Sequence, residues 1–234
     1  MGVRGLLSKI ADIIFPYIPM CAVCGAEKGA SDYLCAKCAG EMEELRAGES
    51  QINGFAAFSL YRYDGQVKSI ITGYKYGGKK YLGRLLGGDM AKALEGLSYS
   101  VSCVCGVPLH EKRRKQRGFD QAEELAKGIA ESAGLPYIAA LLRIRNTKTQ
   151  TKLTEKQRAQ NIKGAFEASG AVSGNVLLVD DVLTTGATAG ECAGVLMQAG
   201  ARDVYVMTYA KSNYGGKKAE KTLLSKYKKI FVRN

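Results

Sequence analysis

The segment that most restricts the fold is residues 175–188, N-V-L-L-V-D-D-V-L-T-T-G-A-T. Val176, Leu177, Leu178 and Val179 form an apolar run with no alternation, the pattern of a parallel strand covered on both faces. Asp180 and Asp181 stand at its carboxyl end, and a loop of Thr184, Thr185, Gly186, Ala187 and Thr188 follows. Cys192, Val195, Leu196 and Ala199 then recur at helical spacing. Thr188 and Glu191 have S/T-x-x-E spacing, which predicts a capping box at the start of that helix. From residue 101 onward, strand-like and helix-like segments alternate, so the expected fold is α/β: a parallel sheet with helices on both faces.

This arrangement suggests a chemistry. Hydroxyls and free N–H groups at the positive end of a helix make an anion site, and Gly186 allows a phosphate close to the backbone. Two carboxylates beside that site would repel a phosphate but suit sugar hydroxyls or a hydrated Mg2+. A phosphate pocket next to a diol pocket describes a ribose 5-phosphate. The competing reading is a buried strand with an incidental polar turn, which would require both acids to be satisfied in another way. Neither a G-x-x-x-x-G-K-[ST] loop nor a strand-linked G-x-G-x-x-G is present, so ATPase and dinucleotide readings have no motif to rest on.

Cys21, Cys24, Cys35 and Cys38 follow C-x2-C-x10-C-x2-C. Two such turns complete a tetrahedral shell of four thiolates, and Gly25 suits the tight knuckle after the second cysteine. A structural Zn2+ is expected there; redox or unligated thiols are the other possibility. Cys103 and Cys105 share one face of a strand over residues 101–107, and Cys192 lies on a helical stripe; all three read as core. Upstream, Leu6, Leu7, Ile10, Ile13 and Ile14 recur at helical spacing and predict a helix docked on the body.

Residues 54–63 read as one or two strands, 67–76 and 81–97 as helices, 137–142 and 201–209 as strands. Asp120 and Glu123 frame a helix start whose buried stripe is Ala122, Leu125, Ala126 and Ile129. Residues 143–158 are polar and basic, and read either as a cover over a charged site or as an ordinary surface loop. Ligands in parallel sheets bind beyond the carboxyl ends of the strands. Both Asp180-Asp181 and Leu109-His110 are expected at that edge.

The block V-L-L-V-D-D-V-L-T-T-G-A-T resembles the phosphoribosyl pyrophosphate (PRPP) motif of type I phosphoribosyltransferases. Residues 107–126, V-P-L-H-E-K-R-R-K-Q-R-G-F-D-Q-A-E-E-L-A, and 143–166, R-I-R-N-T-K-T-Q-T-K-L-T-E-K-Q-R-A-Q-N-I-K-G-A-F, resemble the signature of the ComF (competence protein F) family. A four-cysteine module ahead of the PRPP motif fits the same layout. The resemblance implies a type I phosphoribosyltransferase-like domain over residues 51–210, with the zinc module and its preceding helix in residues 1–50 and a basic tail in 211–234. It implies PRPP contacts from Asp180, Asp181 and residues 184–188. The pyrophosphate would be taken by Leu109, His110, Arg113 and Arg117, with Mg2+. Asp180 and Asp181 would also be the catalytic pair, holding the ribose hydroxyls and stabilising oxocarbenium charge. One departure is Asp120, where the family commonly has Asn; it either weakens anion binding or caps the next helix.

Net charge is +12, of which +7 falls in residues 211–234. Such runs are solvated faces or phosphate-meeting surfaces. No apolar run is long enough to span a membrane, and Asp12 interrupts the stretch that could be mistaken for a signal peptide, so the expected location is the cytoplasm. The family resemblance implies a PRPP-binding protein supporting uptake of transforming single-stranded DNA, together with a helicase-like partner. Two alternatives stay open: an active phosphoribosyltransferase with an unknown acceptor, and a non-catalytic PRPP-sensing regulator.

Overall fold

The computed structural model describes residues 20–27, 33–147 and 155–212. The expected helix at residues 6–14, and the basic tail beyond Ser212, lie outside the described residues. In chain order the elements are α1 (Ala36–Glu43), β1 (Glu49–Ile52), β2 (Phe55–Arg62), α2 (Gly65–Tyr76), α3 (Leu82–Glu95), β3 (Cys103–Gly106), α4 (Glu111–Arg117) and α5 (Gln121–Ala133). They continue with β4 (Leu141–Arg143), α6 (Glu155–Ile162), β5 (Phe166–Ala168), β6 (Asn175–Leu183), α7 (Ala187–Gln198) and β7 (Asp203–Lys211).

Five strands form one mixed sheet in the order β1-β2-β7-β6-β3. The three pairings β2–β7, β7–β6 and β6–β3 are parallel, and the edge pair β1–β2 is antiparallel. The edge hairpin turns on Asn53 (φ 50°) and Gly54 (φ 86°), both left-handed. Asn-Gly supplies that conformation at low steric cost.

Side-chain parity along the buried strands divides the core in two. Val104, Leu177, Val179 and Met207 face a cluster with Ile70, Ile71, Leu86, Leu125 and Ile129 from α2, α3 and α5. Cys103, Cys105, Val176, Leu178 and Val206 face Cys192, Ala193 and Leu196 of α7. Helices therefore cover both faces, as the unbroken apolar run requires, and each fully buried Leu or Ile contributes ~1.5–3 kcal/mol of transfer free energy. The crossover after β3 returns over one face through α5, and that after β6 over the other through α7. Between the carboxyl ends of β3 and β6 a crevice opens.

The cysteine-bearing segment shares this core. Cys21, Tyr33, Leu34, Cys38 and Met42 belong to the cluster that holds Leu60, Ile70 and Tyr209. The Tyr33 hydroxyl donates to Asp89 of α3 and lies 3.0 Å from the Tyr209 hydroxyl of β7.

Two local expectations are corrected. Residues 137–142 are not a strand of the main sheet. Tyr137 forms an isolated bridge with Val104, and the strand starts at Leu141, pairing antiparallel with β5 in a separate two-stranded sheet. The capping box of Thr188 and Glu191 does not form. Gly186 (φ 78°) is the N-cap, which puts Thr188 inside the first turn, and Glu191 accepts instead from the Gly164 N–H at 2.6 Å.

Candidate functional site

The crevice is a cavity of about 420 Å³. Its wall includes Asp180, Asp181, Thr184, Gly186 and Thr188 from β6 and its loop, and Leu109, Arg113 and Arg117 from the segment after β3. Two stretches far apart in sequence meet here because β3 and β6 are parallel neighbours, with Gly106 paired to Val179. Thr185, Ala187 and His110 stand outside the wall. Thr185 Oγ1 lies 3.5 Å from the Ala187 N–H, and Ala187 opens α7. His110 is the N-cap of α4, its Nδ1 accepting from the Lys112 N–H at 3.3 Å.

The two acids point to different neighbours because adjacent residues of a strand face opposite sides. Asp181 is buried and meets Lys75 of α2, with Oδ1 2.8 Å from Nζ. Burial opposes the charge on Lys75, but Asp181 outweighs it and raises the ammonium above its ordinary range. Asp180 Oδ1 accepts from the Asp181 N–H at 2.8 Å. Burial first, and the Asp181 charge second, push its carboxyl up to about 7, against a lowering by Lys75. The pair is thus asymmetric: Asp181 is ion-paired to Lys75, and Asp180 is raised toward neutrality. Hard carboxylate oxygens on Asp180 fit either a hydrated Mg2+ or a ribose hydroxyl.

The anion loop is shaped by Gly186. A side chain there would be strained by the positive φ and would run into Ile52 of the edge hairpin. Asn53 presses in the same way on Gly190, one turn further along α7. The N-terminus of this twelve-residue helix lies beside the cavity, where its dipole favours an anion.

On the opposite wall, Asp120 is buried and accepts from Leu109 N at 2.6 Å, Ala122 N at 3.1 Å and Glu123 N at 3.3 Å. It caps α5 and ties the residues after β3 to that helix. Burial raises its carboxyl while the backbone donors of Leu109 and Glu123 lower it, and the net direction is upward. The basic run 112–117 divides by contacts. Lys115 pairs with Glu111 at 2.7 Å and Arg114 with Glu123 at 3.5 Å, both on the exposed side. Arg117 donates to Gln121 Oε1 at 2.7 Å and its guanidinium lies 5.2 Å from the Tyr76 ring centroid.

The four cysteines are brought together. Their Sγ atoms all lie within 4.8 Å of one another, and Cys24 and Cys35 are 3.7 Å apart. Four thiolates at ~2.3 Å from one Zn2+ stand roughly 3.8 Å from each other, so the cluster fits a tetrahedral shell. The first knuckle is a small turn closed by Gly25 N–H to Cys21 O at 3.0 Å, with Gly25 at φ 71°. The second spans the start of α1, where Cys35 is the N-cap and Cys38 lies in the first turn. Burial opposes ionisation of Cys21, but the backbone N–H groups of Cys24, Cys35 and Val23 outweigh it and bring the thiol to about 6. Burial, and then hydrogen bonding among the thiols, pushes Cys38 the other way.

No protein-family model matches the chain. It is 29% identical over 210 residues to the DNA utilization protein YhgH of Salmonella typhi, covering 86% of this chain and 88% of that one. It is 35% identical to competence protein F of Haemophilus influenzae over 116 residues, 47% of this chain and 50% of that protein. With the competence protein ComFC of Streptococcus pneumoniae it shares 26% over 151 residues, 64% and 66% of the two chains. The chain is thus similar in sequence to proteins named for DNA utilization and competence. Among solved structures, a Bacillus subtilis glutamine PRPP amidotransferase overlaps with a TM-score of 0.38 at 27% identity, over 54% of this chain and 26% of that one. An orotate phosphoribosyltransferase of Aeropyrum pernix overlaps with a TM-score of 0.37 at 18% identity, over 77% and 82%. These overlaps are loose.

The structure adds wall residues to which sequence reasoning assigned no site role, Lys75, Tyr76 and Gln121, and places Arg143, from the basic segment 143–158, in the same wall. Lys75 had a visible signal, since it falls four residues after Ile71 on the buried stripe of α2, an unusual place for a lysine.

Proposed function

We propose that the cavity binds PRPP with Mg2+, and that the protein serves a competence-type role in handling single-stranded DNA in the cytoplasm. The observation that carries this reading is the meeting of three groups around one cavity: the acid pair, the Gly186 anion loop and the arginines after β3. On this reading residues 184–188 hold the 5-phosphate, and Asp180 and Asp181 face the ribose hydroxyls and the metal. Arg113 and Arg117 attract the pyrophosphate, while His110 shapes the residues after β3 by capping α4. The zinc module belongs to the folded core, and the basic residues 211–234 are left for DNA or a helicase-like protein. The names of the relatives, DNA utilization and competence proteins, support the DNA side of the reading.

The asymmetric acid pair favours a second reading, phosphoribosyl transfer. In that step the ribose C1–O bond to pyrophosphate breaks, pyrophosphate leaves with the electron pair, and an acceptor nitrogen bonds C1. An ionised Asp180 would stabilise the positive charge that develops on the ring.

Calorimetric titration with PRPP and Mg2+ tests the first reading. Saturable binding is expected in the native protein and its loss in the double variant Asp180→Asn, Asp181→Asn; no binding by the native protein overturns it. Pyrophosphate release with a panel of nucleobases then separates transfer from sensing.

A further inference from the structure

We propose that Arg143 is an anion-binding residue of the cavity, coupled to Arg113 through Thr147, and that the two guanidinium groups together take the pyrophosphate end of the ligand. This rests on the PRPP reading and extends it to a side chain carried by the separate two-stranded sheet.

Arg143 sits on β4, paired in register with Phe166 of β5, and its guanidinium lies 5.2 Å from the centroid of that ring. Its Nη2 donates to Thr147 Oγ1 at 2.6 Å. From the other side, Arg113 Nη2 donates to the Thr147 carbonyl at 3.0 Å. Two guanidinium groups from separate elements thus hang on one buried threonine.

Among the described residues, no carboxylate lies within ion-pair distance of either arginine. The Nε of Arg143 is buried and has no hydrogen-bond partner among the described residues. Burial, and then the charge of Arg113, lowers the Arg143 guanidinium; burial, and then Arg117, lowers Arg113. Both arginines line the same cavity as Asp180 and the anion loop.

Like charges are held close, partly desolvated, with a planar donor left open, and that arrangement favours an anion between them. A guanidinium fork binds phosphate oxygens through two parallel N–H bonds, which a lysine cannot reproduce. A ligand of matching chemistry has two anionic ends, one phosphate for the α7 terminus and a diphosphate for the arginines.

The test is titration of the full chain with inorganic pyrophosphate, ribose 5-phosphate and PRPP, each with Mg2+. Arg143→Gln is expected to weaken pyrophosphate and PRPP by about tenfold or more, the loss of one charge-assisted contact, while leaving ribose 5-phosphate unchanged. Arg143→Lys, which keeps the charge but not the planar fork, should recover only part. Thr147→Val leaves the backbone carbonyl in place and should weaken the same two ligands by a smaller factor. It keeps the test open if the Gln variant does not fold. If the native protein binds PRPP and these variants bind it equally well, the role of Arg143 is overturned and the PRPP reading stands. If the native protein binds none of the three ligands, both fall.

Discussion

Lys75 Nζ lies 2.8 Å from Asp181 Oδ1, and the charge of the same lysine lowers Asp180. A residue of α2 thus pairs with one acid at the end of β6 and acts on the other. Removing it should be costly. The side chains of Lys75 and Asp181 are 19% and 11% exposed, so Lys75→Met leaves a nearly buried carboxylate without its cation. A loss of about 3 kcal/mol in urea unfolding is expected, the low end for orphaning one member of a buried pair. The double variant Lys75→Met, Asp181→Asn should recover more than half of it, since no uncompensated charge remains. Equal losses in the single and double variants would contradict this account.

Asp180 makes stability depend on pH with a defined sign. Its carboxyl is raised from the ordinary 3.8 to about 7, so in that window the folded chain holds a proton that the unfolded chain releases. Its contribution to stability is therefore greatest near pH 4, falls as pH rises through about 7, and is flat above. Asp180→Asn should remove that slope. Affinity for PRPP with Mg2+ should move oppositely, rising through about pH 7 as the carboxylate becomes available. Unfolding and titration across this range check both trends.

Zinc removal should be felt through the whole molecule. Cys21 and Cys38 are buried in the same cluster as Leu60 and Tyr209, and Tyr33 bonds across to Asp89. A strong chelator, or Cys38→Ser, should lower the Tm by roughly 10 °C, at 2–4 °C per kcal/mol for a chain of this size. A single shifted transition is expected. A second, independent transition would show that the cysteine segment unfolds alone.

Legibility in the sequence followed the range of the interactions involved. The strand at 176–179 was readable because burial on both faces leaves an unbroken apolar run, and the four cysteines because their geometry is nearly all local spacing. Strands β4 and β5 were missed as a pair because three residues carry too little pattern to reveal a partner. The capping box failed because Gly186, in a left-handed conformation, takes the N-cap position and leaves Thr188 inside the first turn. Lys75 is the plainest case. Its stripe position on α2 was visible, but its partner Asp181 lies on β6, and no spacing rule joins the two.

The Asn53–Gly54 turn sits on the antiparallel edge, yet Ile52 and Asn53 press on Gly186 and Gly190 at the start of α7. Hairpin tips are usually where a protein best tolerates added residues. Here the tip acts as a mould for a loop more than 130 residues further along, so lengthening it by one residue would alter the anion site without touching any residue that lines it. In grafting or shuffling experiments, residues 49–62 and 175–198 would have to travel together.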